Sequence, residues 1–320
     1  MRTSEEIFSH TKEQKKVIQN FLKQSRRDVP TFLDEGASDI TYVPIDDGEL
    51  RVFYHKPDNI TTKRPVVFVP GYVAAPITWV DFHVPHQGFG EYHYLETREK
   101  RSSRIKKSRK ASMTVNQTAK DLGKAIENLG LKDKDFVLYG SSYGSTIILE
   151  GLIHGYFTAP TIIIHDPMVK WVYDKSGYNL MMRIVPQFIL SALRMPLARL
   201  FTMGMDNEAN RERMLEFCRG IQPWKFKRCT LQNNKLNLYD DLKKIKEEVF
   251  LTTGPLDRYH LRIEYYNYTK EMPRGRLIFM DAPDTERQLI AGIIGTEFMK
   301  ITKDDGIPES IKQFEIDLER

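Results

Sequence analysis

A chain of 320 residues, 41% hydrophobic and with a formal net charge of +5, is long enough to bury one large core and is only mildly basic. No apolar run reaches the roughly 18 to 20 residues that cross a bilayer, and Glu5 and Glu6 stand where a signal peptide has its apolar region, so neither a transmembrane nor a secreted class is expected. Cys218 and Cys229 are too few for a disulfide framework and read as free thiols in a reducing cytoplasm, the expected location.

Residues 4–27 place Ile7, Phe8, Val17, Ile18, Phe21 and Leu22 on one side and predict an amphipathic helix. Residues 43–54 read as an antiparallel hairpin with its turn at Asp47-Gly48. Val66-Val67-Phe68-Val69 is a buried-strand pattern that runs into the turn Pro70-Gly71-Tyr72. A further strand is predicted over 91–98. The segment 98–110 holds Arg98, Lys100, Arg101, Arg104, Lys106, Lys107, Arg109 and Lys110 against the single acid Glu99. It predicts an exposed basic loop, either a merely solvated one or one that attracts an anionic group on a substrate. Without interleaved aromatics it does not predict a nucleic-acid partner. Residues 136–153 read as strand, sharp turn and helix, with Gly140, Ser142 and Gly144 forming G-x-S-x-G. Strands follow over 161–167, 248–257 and 276–284, and the alternation predicts a mostly parallel sheet with helices on both faces.

The turn around Ser142 carries the chemistry. A serine on a strand-to-helix turn projects from the carboxyl edge of a sheet, where it acts as a nucleophile. Glycines two residues to either side avoid collision with the adjoining strand and helix. With these residues the chain resembles the α/β-hydrolase superfamily over about residues 40–302. The resemblance implies an α/β-hydrolase fold with core segments 39–167 and 248–302. A helical cap is then inserted over 168–247, between an N-terminal helical extension over 1–38 and a C-terminal helical tail over 303–320. It further implies that the amides of Tyr72 and Tyr143 face the nucleophile as an oxyanion site, that Gly71 beside them is a substrate-binding residue, and that Asp257 is the acid. The loop Glu96-Thr97-Arg98-Glu99-Lys100-Arg101-Ser102-Ser103 keeps the family's acid, Arg and final serine and lacks its glycines.

The base departs from the family pattern. Its usual His slot after the last core strand reads Pro283-Asp284, and no histidine follows His260. Asp284 is the expected occupant of that slot, with His260 the alternative base. His83, His86 and the pair His165-Asp166 read mainly as packing, although some hydrolases carry their acid where Asp166 stands. The cap stretch 180–201, rich in methionine and punctuated by Arg183, Arg194 and Arg199, allows three readings: packing on the core, an acyl pocket that includes Met181 and Met182, or contact with a membrane interface. No H-x-x-x-H or C-x-x-C spacing points to a metal, and no cofactor is expected. Two function classes stay open. One is a serine hydrolase of an ester or thioester with an apolar acyl part. The other is a pseudo-hydrolase that binds a small ligand or protein partner. The oligomeric state is not legible.

Overall fold

The computed structural model describes residues 4–25, 32–86, 90–171, 176–203, 208–254 and 262–319. The described strands are β1 (Asp39–Ile45), β2 (Gly48–His55), β3 (Val66–Val69), β4 (Tyr92–Leu95), β5 (Arg104–Ile105), β6 (Val137–Ser141), β7 (Thr161–His165), β8 (Val249–Thr253), β9 (Gly275–Phe279) and β10 (Glu315–Ile316). The described helices begin with α1 (Ser4–Ile7), α2 (Lys12–Ser25), α3 (Val80–His83), α4 (Val115–Asn128), α5 (Tyr143–His154) and α6 (Ser176–Ile184). They continue with α7 (Gln187–Thr202), α8 (Glu208–Gly220), α9 (Pro223–Gln232), α10 (Arg262–Glu271), α11 (Arg287–Met299) and α12 (Glu309–Lys312).

One sheet runs in the order β1-β2-β4-β3-β6-β7-β8-β9-β10, with β5 also paired to β2. From β4 to β9 every pairing is parallel, whereas β1–β2, β2–β4 and β9–β10 are antiparallel. Side chains alternate between two cores, as a pleated strand requires. Val67, Val69, Leu138, Ile162, Ile164 and Leu251 join α4, α5 and α10 on one face. Val66, Phe68, Tyr139, Ile163, Phe250 and Ile278 join α2, α3, α11 and α12 on the other. Burial on both faces explains why the central strands read as unbroken apolar runs.

Three local readings differ from the sequence expectation. The helix expected over 4–27 breaks before Lys12, because Thr11 and Gln14 cap α2 reciprocally: the Thr11 amide donates to Gln14 Oε1 (2.9 Å) and the Gln14 amide to Thr11 Oγ1 (3.2 Å). The first hairpin turns at Asp46-Asp47, since Ile45 lies opposite Gly48. Gly48 serves the approach of β5 instead, because a Cβ there would lie 2.1 Å from the Arg104 carbonyl oxygen. Past α12 the tail adds β10 to the free edge of β9, so it is not wholly helical. Between β7 and β8 the chain leaves the sheet to form α6, α7, α8 and α9.

Candidate active site

β6 ends at Ser141 and α5 begins at Tyr143, which leaves Ser142 alone at the turn with φ +49° and ψ −112°. An L-residue rarely adopts this conformation. It is held from both sides: the Ser142 amide donates to His165 O (2.8 Å) on β7, and Ser142 O accepts from the Thr146 amide (3.1 Å). The flanking glycines are required sterically. A Cβ on Gly144 would lie 2.0 Å from Val69 O on β3, and one on Gly140 would lie 2.7 Å from both the Ser145 amide and Ile148 Cδ1 on α5.

Gly71, just beyond β3, approaches the serine closely. A Cβ built on it would sit 3.4 Å from Ser142 Cβ and 3.9 Å from Ser142 Oγ. The Gly71 turn and the Ser142 turn therefore adjoin. Among the described residues, the amides of Tyr72 and Tyr143 donate to no backbone carbonyl. The two tyrosine side chains point to the cap. The Tyr72 ring stacks on Phe226 of α9 (5.6 Å, 29°) and meets Tyr143 edge-on (5.2 Å), and the Tyr143 hydroxyl lies 3.5 Å from Cys229 Sγ. Burial pushes the Cys229 thiol up to about 12, so it stays protonated and serves as packing.

A cavity of about 210 Å3 opens beside Ser142 and is lined by Trp79, Ser141, Ser142, His165, Asp166, Arg287 and Gln288. Asp166 follows β7 with φ +46° and is buried. Its Oδ2 accepts from Arg287 Nε (3.1 Å) and Nη2 and lies 3.1 Å from His165 Nε2. His165 Nδ1 lies 2.9 Å from Thr252 Oγ1, so both of its ring nitrogens are engaged. Trp79 Nε1 and Gln288 Oε1 are buried without a hydrogen-bond partner among the described residues. Among these residues no side chain hydrogen-bonds Ser142 Oγ.

Asp257 and His260 lie outside the described residues. The chain nevertheless leaves β8 toward them at Gly254, whose Cβ position lies 2.9 Å from Arg287 Cγ. Asp284 opens a single turn, Asp284–Glu286, immediately before α11, and its side chain is not among those described. Met181 is exposed on α6 and Met182 is buried; neither lines the cavity at Ser142.

The expected basic loop needs correction at its start. Arg98 is fully buried and donates to Asp121 Oδ2 (2.6 Å), Asp47 Oδ1 (2.6 Å) and Ser112 O. Lys100 is also buried: its Nζ donates to Gly71 O and pairs with Glu99 (3.1 Å). Glu99 Oε1 in turn accepts from the Val73 amide (3.4 Å) and Thr97 Oγ1 (2.8 Å). These charges steady the turn beside Ser142. Only Arg101, Arg104, Lys106, Lys107, Arg109 and Lys110 remain exposed, and none of them lines the Ser142 cavity. Sequence reasoning missed the roles of Glu99 and Lys100, and missed Trp79 and the Asp166–Arg287 pair altogether. The one available signal was the lone acid Glu99 inside a basic run.

Among the described residues no helix is long and apolar enough to cross a membrane, and no cluster of three or more His, Cys, Asp or Glu is arranged to hold a metal ion. No family model and no curated protein matches the chain. Solved structures do. It superposes on a thermophilic esterase from Thermogutta terrifontis at 16% identity and a TM-score of 0.57, covering 77% of this chain and 90% of that one. A bromoperoxidase from Bacillus anthracis gives 16% identity and a TM-score of 0.59 over 80% of this chain and 97% of that one. An alpha/beta hydrolase enzyme from a Medee basin deep-sea metagenome gives 14% and 0.58 over 80% and 97%. A sheet of this order, helices on both faces, a serine at the β6–α5 turn and these neighbours together identify the architecture: the chain has the α/β-hydrolase fold.

Proposed function

We propose that the chain is a serine hydrolase acting through Ser142 on a carboxylic ester or thioester with an apolar acyl part. The observation that carries this reading is the Ser142 turn, strained at φ +49° and ψ −112° and faced across a short gap by Gly71. A fold does not hold a serine in this way for packing alone, since Ser142 Oγ bonds to nothing in the described core. In this mechanism Ser142 Oγ attacks the carbonyl carbon. The Oγ proton passes to the acceptor, and the Tyr72 and Tyr143 amides stabilise the resulting oxyanion. Its collapse breaks the ester or thioester bond and expels the alcohol or thiol, which takes that proton. Water then hydrolyses the acyl-serine to release the acid and restore Ser142. Asp284, which holds the family's base slot in the sequence, is the proposed proton acceptor, with Asp257 as the family's acid and His260 as the alternative base. A carboxylate lacks the second ring nitrogen through which an acid orients a histidine, so slow turnover of activated esters is the expected activity.

One observation favours a second reading, a pseudo-hydrolase that binds a ligand or partner without turnover. α11, which follows directly on the base slot, brings Arg287 into the cavity wall against Asp166. A guanidinium donates protons in hydrogen bonds and does not accept one at neutral pH. A fluorophosphonate probe separates the two. Labelling of the natural protein that is lost in Ser142→Ala supports the hydrolase, and Asp284→Ala and His260→Ala then reveal the acceptor by which of them slows labelling. Absence of labelling leaves the binding protein.

A further inference from the structure

The helical cap carries an outward surface that the catalytic reading does not use. A helix turns about 100° per residue, which places Leu180, Met181 and Ile184 on one side of α6, opposite buried Met182. On α7, Phe188, Leu193, Leu197 and Leu200, with Met203 just beyond its end, occupy roughly half the circumference, opposite buried Ala198 and Thr202. Ile184, Phe188, Leu200 and Met203 are 68%, 73%, 61% and 76% exposed. Only Val185 and Pro186 separate the two helices. Soluble monomers rarely present so much large apolar surface in one place without a use for it.

Charge identifies what the surface fits. From residue 176 to residue 203 there is no Asp or Glu, while Arg183 and Arg199 are exposed, and Arg194 is half-buried, donating to Ile221 O (2.5 Å). The acids that flank this stretch in sequence are Asp174 and Asp206, outside the described residues, and Glu208, Glu212 and Glu216 on α8. A second copy seated on this face would set arginines against arginines with no acid on either helix to pair them. A surface of phosphodiesters over hydrocarbon complements both components. We propose that the outer face of α6 and α7 docks on an anionic lipid bilayer, with Phe188, Leu200 and Met203 entering the headgroup–acyl boundary and Arg183 and Arg199 pairing with lipid phosphates. Both helices are too short to span, so they lie in the interface. Their orientation is fixed from behind by α9, where Lys227 Nζ donates to Arg183 O (3.1 Å) and Val185 O (2.7 Å) at the end of α6.

The test is flotation of the full chain with two kinds of vesicle. One kind is phosphatidylcholine alone, and the other is two parts phosphatidylcholine to one part phosphatidylglycerol. The chain floats with the mixed vesicles and about tenfold less with phosphatidylcholine alone. Arg183→Gln and Arg199→Gln each weaken binding roughly fivefold, and added salt weakens it further. Phe188→Ser and Leu200→Ser each weaken it roughly tenfold. All four side chains are exposed, so circular dichroism of each variant matches that of the natural protein. Ser142→Ala floats unchanged, because docking does not depend on turnover. The proposal is overturned if the chain floats with neither vesicle. It also fails if binding ignores all four substitutions. A third contrary result is a dimer by light scattering that Leu200→Ser dissociates, with no vesicle binding, which assigns the face to a second copy of the chain.

Discussion

Ser142 and the two glycines that approach it make separable contributions, one to folding and one to reactivity. A backbone held at φ +49° and ψ −112° costs on the order of 1–3 kcal/mol, which the rest of the fold must offset. At Gly144 a methyl group meets the Val69 carbonyl oxygen at 2.0 Å, and backbone on both sides leaves nothing flexible to yield. Gly144→Ala is expected to lose about 3 kcal/mol of stability in urea denaturation. At Gly71 the nearest atom to an added methyl is 3.4 Å away, an ordinary contact. Gly71→Ala should therefore fold with an unchanged urea midpoint. Its methyl, however, occupies space beside Ser142 Oγ that a tetrahedral adduct needs, so fluorophosphonate labelling should slow by roughly tenfold or more. Equal labelling in the two proteins would remove Gly71 from the reactive surround. Gly144 and the serine were legible from the sequence, because their constraint is local, a turn of fixed length between a strand and a helix, whereas Gly71 was named only through the family resemblance. The pairing of Asp166 with Arg287 was not legible, since the two meet across 121 residues and share no short motif.

At the level of elements, α9 does most to join the cap to the sheet. Lys225 is buried on it and donates to Lys100 O and Ser103 O, both at 2.6 Å, and burial brings its amine down to about 8. The amine is thus still charged at neutral pH, and it satisfies two carbonyls that water does not reach. Lys225→Met leaves both carbonyls without a donor and should cost about 2 kcal/mol. Hydrogen exchange is the informative measurement. Amides over 98–103 and in α9 should exchange faster together in the variant, whereas acceleration confined to α9 would show that the link does not matter. The insertion itself was legible as a gap between two recognisable strands, but its orientation was not. A segment that is apolar around most of its circumference does not reveal which side faces protein, so Met181 read as a pocket residue and is found exposed. The same limit hid the burial of Arg98 and Lys100. A run of cations reads as solvated, and the acids that neutralise Arg98 lie 51 and 23 residues away in sequence.

For the whole molecule the buried histidines set the response to acid. Burial brings His86 and His93 down to about 4 and His83 well below the ordinary value of 6.5. Between pH 6.5 and about 4 the unfolded chain takes up protons at these positions that the folded chain refuses, so stability is complete above 6.5 and is lost on the way down. His86 alone accounts for roughly 3 kcal/mol of that loss. Asp121 acts in the opposite sense, because burial raises it to about 6 and the folded state protonates first, but it is one group against three. Urea midpoints measured from pH 7 to pH 4 should fall steeply, and His86→Gln should start lower at pH 7 and fall less; a slope unaltered by the substitution would place the acid sensitivity elsewhere. A link runs from α9 through Lys225 to Lys100, and from Lys100 to the Gly71 carbonyl, and so ties the cap to the turn that adjoins Ser142. Raising α9 to admit a ligand would drag the backbone that faces Ser142 out of place. On the function proposed for Ser142, entry and reactivity then exclude each other along that direction, which leaves a ligand the side of the cavity bounded by Trp79, Arg287 and Gln288.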